Sequence, residues 1–600
     1  MLSTVRKLIA LLNGEEKKKV TWLALLMTIT AIIQTIGIAS VMPFLAVISD
    51  QQLIYDNNFL NKIFVALKFH NEKAFLYFLG ILAFLIFTFG TILQATTFWL
   101  TSRFAQLQQY QLSRRLMADY LRRPYSFFLT RNSSELAKTV LQETGHAVIG
   151  ALLPAMRLVG SFMLAIIIIA MLIVIHPILA ISVALAVGLS YTTVFLFSKR
   201  WLKRIGEDRD LANRQRFSAS AEAFAGAKEI RLLGRENEYL ERYRDPSQRF
   251  ALHQANSGVL ANLPLYVIEA IAFGGIILVS LALMTDDKGL ANALPLIGVY
   301  ALAGKQLIPA INKIFAAIAE LQFNIPSVNN ILNDLGDREG SRPLPDKSIT
   351  KIPLTPKKEI QVNNLIFTYA GAETPALKGI NLKISAQTTV GLVGSSGAGK
   401  STFIDLLLGL LEPEKGNITI DNQLLDHKSI PNWQATIGYV PQHIFLADQS
   451  IAANIALGVP ASDIDQQAVI KAAKQANLDE FIVNNLPDGY NTIIGERGVR
   501  LSGGQRQRIG IARALYRNPS VLVFDEATSA LDNATELSVM EAINNLAGQK
   551  TIFIVAHRLS TVKNCDTICV FSAGNIVECG SWQDLTRNGS HFKKLSAGIA

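Results

Sequence analysis

Residues 390 to 410 read VGLVGSSGAGKSTFIDLLLGL, an apolar strand that passes through a glycine-rich loop into an apolar-faced helix. Gly394, Gly399, Lys400 and Ser401 meet the pattern G-x-x-x-x-G-K-[ST], with Gly397 between them. Glycine lets successive backbone N–H groups converge on an anion, so the loop Gly394, Ser395, Ser396, Gly397, Ala398, Gly399 is predicted to cradle phosphate, with Thr402 just behind it. In that pattern Lys400 reaches the outer phosphates and the hydroxyl of Ser401 holds a magnesium ion. The helix that begins there adds its positive end to the same site.

Three later stretches supply the groups that phosphate chemistry needs. PSVLVFDEATSALD, residues 519 to 532, is an apolar strand ending in two carboxylates. Asp525 is placed to hold the water shell of magnesium and Glu526 to polarise the water that attacks a γ-phosphate. Adjacent acids on a strand point to opposite faces, but at the strand's end the chain leaves the pleat and both can face a nucleotide. TIFIVAHRLS, 551 to 560, repeats the form with His557, which can hydrogen-bond the γ-phosphate. LSGGQ, 501 to 505, opens a helix with Ser502, Gly503 and Gly504 at its start, a second anion site. One phosphate loop with two such sites implies that two domains share each nucleotide.

The elements that position these motifs divide the 600 residues unevenly. Such a length is too great for one core. Apolar runs long enough to cross a bilayer, about 20 residues, occur near 20–48, 74–100, 147–174, 178–198, 258–284 and 290–315, which predicts six spans. The net charge of +10 does not point to nucleic acid, because the basic residues gather between those runs. The segment 199–257 holds thirteen Lys or Arg, whereas 175–177 and 285–289 hold one lysine together. The positive-inside rule therefore puts both termini in the cytoplasm, in an inner-membrane, multi-pass protein. The long loops carry heptad-like leucines and predict helices that run on into the cytoplasm, turning back through short helices near 124–134 and 222–228. Leu2, Val5, Leu8, Ile9 and Leu12 share a helical face and predict a helix lying along the membrane surface. Phe59, Leu60, Ile63, Phe64 and Leu67 do the same in the first outer loop, either as an interfacial helix or as a segment packed on the spans. Cys565, Cys569 and Cys579 fit no zinc spacing and read as free thiols, and no secretory signal opens the chain.

Two charges fall inside the spans. Glu269 and Lys305 lie at comparable depth in the fifth and sixth runs, either as a structural pair or as contacts for a substrate.

The order GSSGAGKST, Gln442 in YVPQ, LSGGQ, FDE, SALD and His557, behind six apolar runs, resembles the ATP-binding cassette transporters of exporter type over essentially all 600 residues. The resemblance implies a multi-domain membrane protein. A six-helix all-α transmembrane domain of type I exporter (type IV ABC) fold spans 1–333, a linker 334–358 and an α/β P-loop NTPase domain 359–600. It implies ATP and Mg2+ as ligands, Tyr369 stacked on adenine, and catalysis by Glu526, His557 and Gln442. Ser401, Gln442 and Asp525 would hold the metal, and Gln442 would couple it to the membrane part. Ser502 to Gln505 would close on ATP held by the opposite subunit, Asp532 would contact the partner, and Gly495 to Gly498 would lie near the coupling helices. One chain with half of the family's twelve spans implies a homodimer.

For cargo, EAFAGAKEIRLLGRENEYLERY (222–243), KLIALL and IASVMPFLAVI are similar to bacterial lipid-linked oligosaccharide flippases. For a polyprenyl-pyrophosphate glycan, Arg103, Arg157, Lys199 and Arg200 could engage the pyrophosphate, or serve as topology determinants. The alternative is an exporter of lipids, drugs or peptides. A drug exporter would line its cavity with aromatics, which Glu269, Lys305 and Gln34 argue against.

Overall fold

The computed structural model describes residues 2–49, 51–175, 177–284, 289–336, 352–495, 498–527, 533–556 and 558–596. The chain forms two compact units, Met1–Arg123 with Phe127–Leu344, and Pro124–Ser126 with Pro345–Ala600.

The first unit is helical: α1 (Leu2–Ala10), α2 (Gly14–Ala39, continued by Val41–Ser49), α3 (Glu72–Arg122), α4 (Ser133–Ile175), α5 (Pro177–Ala225), α6 (Glu236–Met284) and α7 (Gly289–Gly336). Among the described residues, three helices are long and apolar enough to cross a membrane: Gly14–Ser49, Glu72–Arg122 and Ser133–Ile175. The helices α5 to α7 occupy the other three predicted runs. The 51 residues of α3 make a rod of about 75 Å against a hydrocarbon layer of about 30 Å, so much of it stands outside the bilayer. A short helix at Tyr125–Thr130 lies within the predicted turning point 124–134, whereas that at Ala227–Leu232 comes later than the predicted 222–228, whose first four residues still belong to α5.

The face of α1 is divided. Leu8 is buried with Leu11 and Leu12 against Leu112 and Leu116 of α3 and Val328 and Ile331 of α7, while Val5 and Ile9 stay exposed. The helix is thus anchored on its own bundle, and only part of the predicted membrane-facing stripe looks outward. The outer-loop helix Asn58–Ala66 behaves similarly. Leu60 and Phe64 are buried among Val47, Ile54, Phe75 and Leu79, with the Phe64 and Phe75 rings edge-on at 5.2 Å, and Phe59 remains exposed. Of the two readings of this segment, packing on the neighbouring spans is the one observed.

The extensions of α4, α5 and α7 enclose a cluster of charges. Lys138 lies 3.2 Å from Glu143 and 3.4 Å from Asp210, all three almost wholly buried. Arg209, also buried, donates to Asn324 Oδ1 (3.2 Å) and Ser327 Oγ (3.0 Å), with its guanidinium 4.8 Å above the Phe323 ring. Two turns of α4, Thr139–Glu143 and Val148–Leu152, are π-helical. The carbonyls such turns loosen are taken up from outside: Ser113 Oγ donates to Val140 O and Asn324 Nδ2 to Gly150 O, each at 2.9 Å. Charges buried this deeply are tolerated only when paired. Lys138→Met removes the only cation ion-paired to the buried Glu143 among the described residues and leaves Asp210 with the partly exposed Arg214 (3.0 Å) alone, and should lower stability by about 3–5 kcal/mol. Thermal unfolding of the solubilised protein checks this, and an unchanged midpoint contradicts it.

The second unit holds two sheets. The four-stranded one has order β2 (Leu377–Ser385), β1 (Glu359–Phe367), β4 (Lys415–Ile420), β5 (Gln423–Leu424) and is antiparallel. The six-stranded one has order β10 (Asn575–Gly580), β9 (Thr567–Ser572), β3 (Thr389–Gly394), β8 (Thr551–Val555), β7 (Val521–Asp525), β6 (Ile437–Val440). Its pairs are parallel except β10 with β9. Strands β7 and β8 are buried throughout and β3 nearly so, which is why these read as unbroken apolar runs rather than as alternation.

Candidate nucleotide site and membrane cavity

Parallel strands end at a common edge, and the phosphate loop, Gln442, the Asp525–Glu526 pair and Ala556 each follow the end of one of β3, β6, β7 and β8. Ligand sites of open α/β sheets form at that edge. The loop runs from β3 into α8 (Lys400–Leu407). Gly399, at φ 102°, has a backbone that side chains avoid, and a Cβ there would lie 2.7 Å from Leu377. At Gly394 a Cβ would meet the Phe571 carbonyl at 2.3 Å. Glycine is therefore required both by conformation and by close approach.

Lys400 is buried, and its Nζ donates to the carbonyls of Gly394 (2.7 Å) and Ser395 (3.0 Å). Burial lowers its pKa, while Glu526 and Asp525 pull the other way. The ammonium thus sits within the loop, held by groups that an anion can replace. Ser401 is exposed, and Thr402 is buried with its Oγ1 3.0 Å from the Tyr369 hydroxyl. Tyr369 itself stands edge-on to Phe367 at 5.0 Å.

At the end of β7 the chain turns sharply: Glu526 has φ 52°, outside the pleat. Its carboxylate accepts from Gln442 Nε2 at 2.6 Å, and the Tyr439 hydroxyl donates to Asp525 Oδ2 at 3.5 Å. Ser401, Gln442 and Asp525 offer oxygen donors of the kind Mg2+ takes, beside a loop built for phosphate, so the residues fit a nucleotide-bound magnesium ion. His557, Asp532, Glu496 and Arg497 lie outside the described residues, as does most of the predicted linker.

Ser502 caps α9 (Gly503–Leu515) in a capping box with Gln505. Its amide donates to Gln505 Oε1 (2.8 Å) and the Gln505 amide to Ser502 Oγ (3.3 Å), so these bonds stay within the motif. Within one chain, nothing described joins the signature Ser502, Gly503, Gly504, Gln505 to the phosphate loop.

Sequence reasoning missed two residues here. Arg513 of α9 donates to Asn454 O and Phe445 O, both at 2.8 Å, tying the signature helix to the segment after Gln442, and burial lowers its pKa to about 10. Asp405 lies on the inner side of α8, and its carboxyl is pushed up to about 6, first by burial and then by the charge of Asp525. The available signal was a lone acid within the apolar run FIDLLLGL.

In the first unit a cavity of about 630 Å³ is lined by Arg157, Lys305 and Lys313 together with Gln34, Gln94 and Thr97. The guanidinium of Arg157 lies 5.9 Å from the Phe98 ring. The structure brings Arg157 and Lys305 together and adds Lys313, which sequence reasoning did not single out. Glu269 is exposed and outside that lining, and among the described residues no ion pair joins it to Lys305. Arg103 lies elsewhere, beside Trp22, Lys18 and Lys19 in a separate groove, 5.3 Å over Trp99. Arg200 is exposed, and the side chain of Lys199 lies outside the described set.

Comparison with known proteins places these features. The family model described as ABC transporter matches residues 377–529, and that described as ABC transporter transmembrane region matches 19–288. An ATP-dependent lipid A-core flippase of Saccharophagus degradans is 33% identical over 81% of this chain and 80% of its own. One of Wigglesworthia glossinidia brevipalpis is 35% identical over 62% of each chain. Multidrug resistance protein pgp-1 of Caenorhabditis elegans is 44% identical, over 40% of this chain and 18% of its own. A solved structure of a bacterial Atm1-family ABC exporter with ATP bound matches with a TM-score of 0.78 at 24% identity, over 98% of this chain and 99% of that one, a likeness of fold.

The raised pKa of Asp405 has a consequence for stability. A carboxyl whose folded value lies above its unfolded value contributes stability that is complete below the unfolded value, near 3.8, and lost as pH rises through about 6. Without nucleotide, Asp405→Asn should therefore stabilise the second unit at pH 7.5 by on the order of 1–2 kcal/mol, once partial solvent screening is allowed for, seen as a higher unfolding temperature. The gain should shrink toward pH 5. An equal shift at both pH values contradicts the assignment.

Proposed function

The chain belongs to the ABC transporters, as a multi-pass membrane protein that couples ATP hydrolysis to export or flipping, and on that premise we propose that it flips a lipid-linked oligosaccharide across the cytoplasmic membrane. The observation that carries this reading is the cavity of the first unit. Among the described residues that line it, three cations, Arg157, Lys305 and Lys313, stand with amides, hydroxyls and apolar side chains such as Met27 and Leu164, and Phe98 is the one aromatic. Such a lining suits a pyrophosphate, by charge-assisted hydrogen bonds, and a sugar, by amides and hydroxyls. The names of the relatives, lipid A-core flippases, add support for a lipid as the cargo.

The working unit in this reading is a homodimer with the ATPase units in the cytoplasm. One chain supplies one phosphate loop and one signature, so Ser502 to Gln505 of one copy close on the ATP held by Gly394 to Thr402 of the other, with Tyr369 against the adenine, and Asp532 meets the partner. Two-fold symmetry makes two such sites. Lys400 exchanges its two loop carbonyls for phosphate oxygens, and Glu526, held by the Gln442 amide, accepts the proton of the attacking water. His557 contacts the γ-phosphate and senses its loss. Ser401, Gln442 and Asp525 would hold Mg2+, which when bound supplies charge neutralisation at the phosphates. ATP binding closes the dimer and turns the cavity outward, and hydrolysis resets it.

The direct test uses proteoliposomes carrying a polyprenyl-pyrophosphate glycan in the leaflet on the ATPase side, with its arrival in the other leaflet scored by enzymatic accessibility. ATP-dependent arrival, abolished in Glu526→Gln, is expected. Glu526→Gln should keep nucleotide affinity while turnover falls roughly 10²–10⁴-fold, and undiminished hydrolysis removes Glu526 from its role. Replacing Lys305 and Lys313 by glutamine should raise the glycolipid concentration for half-maximal flipping by at least about tenfold, from the loss of two charge-assisted contacts, with basal ATPase activity retained. Unchanged flipping in that variant excludes the cavity as the head-group site.

A further inference from the structure

Cys569 and Cys579 take no part in the nucleotide site or the membrane cavity. They stand directly opposite one another in the antiparallel pair β9–β10, with Sγ atoms 3.0 Å apart, and both are free thiols. Opposed residues of an antiparallel pair have Cα atoms about 4.5–5.5 Å apart and side chains on one face, inside the roughly 4.4–6.8 Å that a disulfide spans. No strand has to move for the two sulfurs to join. Access is asymmetric: Cys569 is buried in the sheet core, whereas Cys579 is exposed on the edge strand.

We propose that Cys569 and Cys579 form a dithiol–disulfide site, closed by a low-molecular-weight disulfide such as oxidised glutathione and reopened by thiols. The exposed Cys579 loses its proton and attacks the disulfide RSSR, which gives a mixed disulfide at Cys579 and expels RS⁻ to be protonated as RSH. Cys569 then loses its proton and attacks the Cys579 sulfur, expelling the second RS⁻, likewise protonated. Two protein thiols are oxidised and one RSSR is reduced to two RSH, so no other electron acceptor is needed.

The order of attack agrees with the pair's electrostatics. The hydrogen bond from Cys569 holds Cys579 below the ordinary thiol value and, with burial, pushes Cys569 above it. The third thiol, Cys565, is buried and pushed up to about 12 by burial and by Asp566, which suits it to remain inert. The hairpin that would be crosslinked also braces the phosphate loop. Leu392 of β3 pairs with Cys569, and in the hairpin turn the Gly574 amide donates to Ala398 O at 3.1 Å. Exposure of Cys579 on the edge strand leaves its sulfur open to attack by thiols, which suits the bond to reversal.

The test equilibrates the purified full-length protein over a series of oxidised-to-reduced glutathione ratios. Oxidation should leave Cys565 as the one titratable thiol in the denatured chain, with a peptide map joining 569 to 579 at the loss of two hydrogens. Cys565→Ser should oxidise at the same ratio, and Cys579→Ser should form no internal disulfide. The oxidised protein should unfold at a higher temperature and return to its starting midpoint with dithiothreitol, because the crosslink restricts the unfolded chain. A glutathione adduct that persists on Cys579 without closure, or a bond to Cys565, overturns the proposal.

Discussion

Phosphate chemistry concentrates negative charge, and the second unit meets that constraint with the common edge of a parallel sheet. Strands β3, β6, β7 and β8 end together, so a loop of amides, an amide side chain and two carboxylates converge without any long connection. The two acids make the edge electronegative before any nucleotide arrives. Asp405, raised first by burial, is raised further by the charge of Asp525, and at Lys400 Glu526 and Asp525 oppose the lowering that burial causes. The lysine cannot leave water without partners, so its own loop supplies two carbonyls. Binding then becomes an exchange of partners around a charge already in place.

The first unit faces the opposite problem, since its environment offers no water to solvate charge. Several of its ions are paired within the helical extensions, as Lys138 is with Glu143 and Asp210, and others are gathered around a cavity, as Arg157, Lys305 and Lys313 are. The π-helical turns of α4 lie beside both sets, with their carbonyls served by Ser113 and Asn324 from other helices. A helix whose ladder is relaxed at two places, and stabilised there by neighbours, is suited to change its bend when those neighbours move.

How much of this was legible in the sequence follows from the range of each interaction. The phosphate loop, the capping of Ser502 by Gln505 and the turn at Glu526 are local, set by glycine conformations, helix starts and strand ends. The long apolar runs likewise specify long helices. Partners distant in sequence were not legible. Lys138 and Asp210 are 72 residues apart, and nothing local to either indicates that both are buried. Arg513 reads as one basic residue among several in RQRIGIARAL until Asn454 and Phe445 appear beside it. The stripe on α1 showed amphipathicity but not its partner, and the partner is the bundle for Leu8. Glu269 and Lys305 shared a depth, yet among the described residues no ion pair joins them, because depth along two helices fixes height and not rotation.

The most direct measurement is ATP hydrolysis by the full-length protein in nanodiscs as three lipids are titrated: a polyprenyl-pyrophosphate glycan, the same polyprenyl chain with a phosphate and no sugar, and an uncharged polyprenol. If the cation-lined cavity receives the anionic, sugar-bearing head, the glycan should stimulate hydrolysis saturably and most strongly, the phosphate less, and the polyprenol not at all. Equal stimulation by all three, or stimulation by apolar drugs alone, would contradict the account.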